Sequence, residues 1–76
     1  MEAALRYIVS SLVEHPDQVE IKVTGSDDNA ILEMRVAPSD IGKVIGKNGR
    51  VARSLRTIIQ AAGNKEGKQY TLEILD

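Results

Sequence analysis

A chain of 76 residues with 42% apolar content, no Cys, Trp or Phe and a formal charge of −1 has the length for one aliphatic core and not for a second. Without cysteine it has no disulfide framework, no thiolate metal site and no cysteine nucleophile, so a fold this small rests on packing or on association with a partner. No apolar run approaches the roughly 18 residues that span a bilayer, and the N-terminus lacks the basic, apolar and small-residue regions of a secretory signal. These absences lead us to expect a cytoplasmic protein with no membrane partner, and a single domain filling residues 1–76.

From Glu2 to Glu14, Leu5, Ile8, Val9 and Leu12 recur at the spacing of an amphipathic helix, which Pro16 stops. His15, beside that proline, has no second His or Cys to build a site with and reads as an ordinary residue at a helix end. Val19 to Val23 alternates apolar with polar, Gly25-Ser-Asp-Asn-type turn chemistry follows, and a second strand is expected over 30–37 with Leu32, Met34 and Val36 on one face. The two strands form a hairpin. Pro38-Ser39-Asp40 reads as a helix start, with Ser39 as cap and Asp40 at the positive end of the dipole. That helix is short, because Gly46 ends it; a longer one is expected from about Arg50 to Ala62, with Val51, Leu55, Ile59 and Ala62 inward and Gly63-Asn64 as its stop. A last strand over 68–75 completes the order α-β-β-α-α-β, an α+β fold with a three-stranded sheet and the helices packed on one face.

Charge is distributed unevenly along this order. Residues 41–56 hold five of the ten basic residues, Lys43, Lys47, Arg50, Arg53 and Arg56, and none of the eleven acidic ones. What a polyanion meets is this local field and not the net charge. Gly46-Lys-Asn-Gly49 joins two helices, which puts a tight turn at a helix N-terminus, where unpaired N–H groups and the dipole favour an anion the size of a phosphate. Lys47 and Arg50 add charge at that point, and Arg53 and Arg56 extend it along the helix at a spacing of three. On spacing alone, Gly-x-x-Gly is equally a plain connection between helices.

The stretch Ile41-Gly-Lys-Val-Ile-Gly-Lys-Asn-Gly-Arg50 resembles the signature of the KH domain, and the helix and strand that precede it resemble the type II variant. Together with the chain length, the run Gly49 to Ala62 is similar to the bacterial stand-alone KH proteins of the KhpA family. The resemblance implies a cytoplasmic RNA-binding protein, an RNA chaperone that dimerises with itself and with the larger KH-containing protein KhpB, linked to cell-wall homeostasis and cell length. It implies that Gly46, Lys47, Asn48 and Gly49 grip the backbone of about four single-stranded nucleotides. Arg50, Arg53 and Lys43 would add charge to that grip. Ile41, Val44 and Ile45 are then candidates for one wall of an apolar groove and Tyr70 for the other, with Lys65 and Lys68 in the bordering loop. Tyr7 and Tyr70 are the only aromatic residues, too few for a platform of stacked bases.

Two other readings stand beside RNA binding: single-stranded DNA, which shares backbone and bases, and a KH-like interaction module with no nucleic-acid affinity. Against the latter, Gly-Lys-Asn-Gly attracts phosphate where an acidic loop would repel it. Ser54, Thr57, Ile58 and Ala61 share a flank of the long helix, either as a dimer surface or with Ile58 completing the core. Catalysis has no basis in the residues. Gly42 to Asn48 has its glycines one residue too close for a P-loop and Asn48 where Mg²⁺ needs Ser or Thr, and no acid–base constellation, metal ligand set or cofactor motif accompanies it.

Overall fold

Leu5 and Val9, four apart on the first helix α1 (Glu2–Leu12), are buried, while Leu12 at its end is 42% exposed. The helix stops two residues short of the expected Glu14. The cause lies far along the chain: the N–H groups of Glu14 and His15 donate to the two carboxylate oxygens of Asp40, at 3.1 and 3.0 Å. A single 3-10 turn over Pro16–Gln18 then delivers the buried Val19 to strand β1 (Glu20–Gly25). The computed structural model describes residues 1–75.

Strand β1 pairs antiparallel with β2 (Asn29–Arg35), from Glu20 opposite Arg35 to Gly25 opposite Ala30, so the hairpin stands as expected. The turn is closed by the Ser26 N–H to the Asn29 carbonyl and by the Asn29 N–H to the Ser26 hydroxyl. Strand β3 (Gln69–Leu75) lies parallel to β2 on its other side, which leaves β2 central in the order β1-β2-β3. A parallel pair needs a long crossover. Here it consists of helix α2 (Ile41–Ile45) and helix α3 (Arg50–Glu66). Ala30, Leu32, Met34, Tyr70 and Leu72 point from the sheet into one core with Leu5, Val9, Val44, Leu55 and Ile59 from the helices. The opposite face carries Lys22, Glu33, Thr71 and Glu73, in register across the strands.

Four expectations are corrected. Val23 is 48% exposed near the hairpin end, not half of a buried face, and Val36 is buried beyond the end of β2. Ser39 caps nothing; it sits in a 3-10 turn over Pro38–Asp40, and Asp40 is fully buried as an acceptor of backbone N–H groups, not placed at a helix end for its charge alone. The buried stripe of α3 is Ala52, Leu55, Ile59 and Gly63, with Val51 and Ala62 at its margins. Finally, α3 passes through Gly63-Asn64 and ends at Gly67, in the left-handed conformation, with the Gly67 N–H on the Asn64 carbonyl (3.2 Å) and the Lys68 N–H on the Gly63 carbonyl (2.8 Å). This is the paired bonding of a Schellman motif, which satisfies carbonyls that a stop at Gly63 would have left open.

Candidate nucleic-acid interface

Helix α2 ends where Gly46 adopts φ 78°, ψ 173°, a region open in practice to glycine alone. A Cβ there would fall inside the Val51 side chain and 2.9 Å from the Val51 nitrogen. Gly46 is therefore required by the turn itself. Asn48 (φ 56°) and Gly49 (φ 73°) follow in the left-handed region, and the Gly49 N–H closes the turn on the Gly46 carbonyl at 3.1 Å. Asn is the side chain that tolerates this conformation best after glycine. A Cβ at Gly49 would meet nothing within 4 Å, so of the two loop glycines it is Gly49 whose side is open to an approaching backbone.

Gly49 is also the residue at which α3 begins, with no side chain capping its first N–H groups. Those donors and the positive end of a 17-residue helix face the open side of the loop. Lys47 and Arg50 are exposed next to them. Arg53 stands otherwise: its guanidinium donates to the Asn48 carbonyl at 2.8 Å, so one of its hydrogen bonds braces the loop from within α3. Arg56 is exposed one turn further along the same helix.

Lys43 does not join this group. Its ammonium lies 3.6 Å from the Asp40 carboxylate and 3.8 Å from that of Glu14, and its charge is spent on the junction of α1 and α2. Asp40 is the centre of that junction. Burial by itself would raise its pKa, but the N–H groups of Glu14 and His15, with the charges of His15 and Lys43, outweigh burial and hold it below the ordinary carboxylate value. Sequence reasoning had no signal for this partnership, which joins residues 25 and 26 apart in the chain.

The apolar wall is smaller than expected. Val44 is 0% exposed and belongs to the core, since the period of a helix that turns Ile41 and Ile45 partly outward turns Val44 in. Tyr70 is not the opposite wall either. It is buried under Gly63, and its hydroxyl donates to Glu66 Oε1 at 2.8 Å; that bond, then burial and the Glu66 charge, raise its pKa. Gly63 is fourteen residues from Gly49, which at 1.5 Å per residue puts Tyr70 about 20 Å along α3 from the loop. Lys65 and Lys68 lie at that same far end.

Ser54, Thr57, Ile58 and Ala61 are all exposed, and Ile58 at 48% is not part of the core. The Thr57 hydroxyl is turned back onto the Arg53 carbonyl at 3.0 Å. Ile58 continues across a shallow apolar depression to Val51, Ile8 and Leu12, so the exposed flank of α3 runs on to α1. Among the described residues there is no cluster of His, Cys, Asp and Glu able to hold a metal ion, and no helix long and apolar enough to cross a membrane.

Comparison with known proteins places this geometry in a family. The family described as KhpA/KhpB, KH domain, matches residues 2–74. The RNA-binding protein KhpA of Clostridium acetobutylicum is 47% identical over 75 residues, covering 99% of this chain and all of that protein. Those of Aquifex aeolicus and Streptomyces coelicolor are each 45% identical, over 97% and 100% of this chain and 99% and 92% of their own lengths. The family is not an enzyme family. Because the match runs through both helices of the loop and all three strands, the chain belongs to the KhpA/KhpB family, and its α-β-β-α-α-β fold is the type II KH domain.

Proposed function

We propose that the chain binds single-stranded RNA at equilibrium, gripping the backbone of about four nucleotides with Gly46, Lys47, Asn48, Gly49 and the first turn of α3. The open side of Gly49 carries the proposal, because there a phosphate meets two exposed cations and uncapped N–H groups with no Cβ in its way. Ile41 and Ile45 supply apolar surface for bases, Arg53 holds the loop in shape, and Arg56 extends the positive field. Its family membership, with relatives named as RNA-binding proteins, supports the choice of RNA over single-stranded DNA.

On the same family ground we propose a cytoplasmic RNA chaperone that pairs with a second copy of itself and with KhpB, and that acts in cell-wall homeostasis and cell-length control. Ser54, Thr57, Ile58 and Ala61 are the surface we assign to such pairing.

The test is titration of short single-stranded RNA and DNA against the wild type and Lys47→Asp/Asn48→Asp over a range of salt. If three phosphates are neutralised, log K falls with log[salt] with a slope of about −2. Undiminished affinity in the double variant would remove the loop as the grip. Equal affinity for DNA would keep the grip and remove the restriction to RNA.

A further inference from the structure

Beyond the loop, Arg53, Arg56, Gln60 and Asn64 follow one another at spacings of three and four, so they line one flank of α3. The flank changes character along its length, from two guanidinium groups near the loop to two amides at the far end. Gln60 and Asn64 open onto a cleft of about 610 Å³ between α3 and the start of β3, lined also by Asp28, Lys68, Gln69 and Thr71. It is a different place from the loop and from the apolar depression at Ile58. The side-chain amides of Gln60, Asn64 and Gln69 are exposed and make no hydrogen bond among the described residues. Because β3 is an edge strand, alternate backbone N–H and C=O groups beside the cleft also lack a strand partner.

With one acid and one base in its lining, the cleft offers a phosphate no net attraction. What it does offer is three groups that each present a donor and an acceptor side by side, the pattern that pairs with a base edge. Resting on the RNA-binding function proposed above, we infer that this cleft is a base-reading subsite for an unpaired adenine. An amide accepts from the adenine N6 amino group and donates to N7, whereas guanine presents two acceptors there, which suit Lys or Arg. Asp28, an acceptor, disfavours the guanine O6 and favours the adenine amino group. Asn64 is fifteen residues beyond Gly49, or about 22 Å along α3. A strand stacked as in a duplex advances about 3.4 Å per nucleotide, so the adenine would lie within about seven nucleotides of the one held at the loop.

The experiment measures anisotropy of labelled ten-nucleotide oligoadenylate and oligouridylate RNA with wild type, Gln60→Ala/Asn64→Ala and Lys47→Asp/Asn48→Asp. Both amide positions are exposed on a helix, and alanine is the strongest helix former, so the first variant keeps the fold, which circular dichroism verifies. The wild type is expected to favour oligoadenylate by about tenfold, the discrimination of one well-made bidentate pair. The amide variant should erase that ratio by weakening oligoadenylate alone, with the salt slope unchanged because no phosphate contact is lost. Persistence of the ratio in the variant, absence of any preference in the wild type, or equal weakening of both RNAs would overturn the subsite. Loss of all binding in the loop variant, with the ratio persisting in the amide variant, removes the subsite and leaves the grip. A wild type that binds neither RNA removes the RNA-binding function itself.

Discussion

Gly46 and Gly49 look equivalent in Gly-Lys-Asn-Gly, and their surroundings separate them. At Gly46, φ 78°, ψ 173° excludes side chains on conformational grounds, and Val51 excludes them again on steric ones. Gly46→Ala is expected to cost about 1–3 kcal/mol from conformation before the Val51 contact is counted, visible as a fall in the urea midpoint. Gly49→Ala meets only the left-handed penalty of about 1–2 kcal/mol, and so is expected to harm RNA affinity out of proportion to stability. The two arginines divide in the same way. Arg50→Gln removes an exposed cation beside the phosphate position and should make the salt slope shallower by about 0.7. Arg53→Gln removes the donor that holds the Asn48 carbonyl, so affinity should fall severalfold while the slope stays as in the wild type. Equal slope changes in both variants would return Arg53 to the phosphate-binding set.

Among the elements, the position of α2 depends on Asp40. Its carboxylate ties the start of α2 to the end of α1 through two backbone N–H groups, and α2 in turn carries Gly46. Because the folded pKa lies below the ordinary value of 3.8, the stabilisation is fully present above the unfolded pKa. It is lost as pH falls from about 3.8 toward the lower folded value. Asp40→Asn leaves one acceptor but turns an amide donor against the other N–H, so its urea midpoint at pH 7 should fall, and the acid loss that Asp40 contributes should vanish. An unchanged acid transition would remove Asp40 as its source. At the other end of α3, Gly63→Ala trades about 1 kcal/mol of helix propensity against a Cβ 2.8 Å from the Lys68 carbonyl oxygen and 3.1 Å from the Tyr70 ring. Overpacking of this kind costs about 1–3 kcal/mol, so a better helix former should lower stability. Both cases show where the sequence was legible. Period-2 and period-3.6 patterns gave every element and the inward side of β2, because those patterns are local. Asp40 and Gly63 were misread because each answers to a partner distant in the chain or across the sheet, which no local spacing displays. Val44 was counted toward the groove for a related reason: a two-turn helix shows its apolar residues without showing which of them the core takes.

For the molecule as a whole, the consequence of an acidic chain with one basic pole is a single small binding site, and a site of about four nucleotides gives weak affinity unless a second is tethered to it. The surface available for tethering faces away from the amide flank. Ile58, 48% exposed, and Leu12, 42% exposed, border one depression with Ile8 and Val51, an apolar strip shared by α1 and α3. The sequence left Ile58 divided between core and surface; its exposure settles that it is not core, so a charge there strands no buried group. Ile58→Glu is therefore expected to stay folded, with unchanged far-UV circular dichroism, and to change monomer stability by no more than about 0.5 kcal/mol. Light scattering should report the mass of one chain where the wild type reports two, and the affinity for RNAs long enough to engage both copies should drop by about 100-fold or more, while four-nucleotide RNAs bind as before. A variant that unfolds would mean the residue supports the monomer after all. One that folds and still scatters as a pair would move the contact to another surface, and the loss of short-RNA binding would place Ile58 at the RNA site instead of between copies.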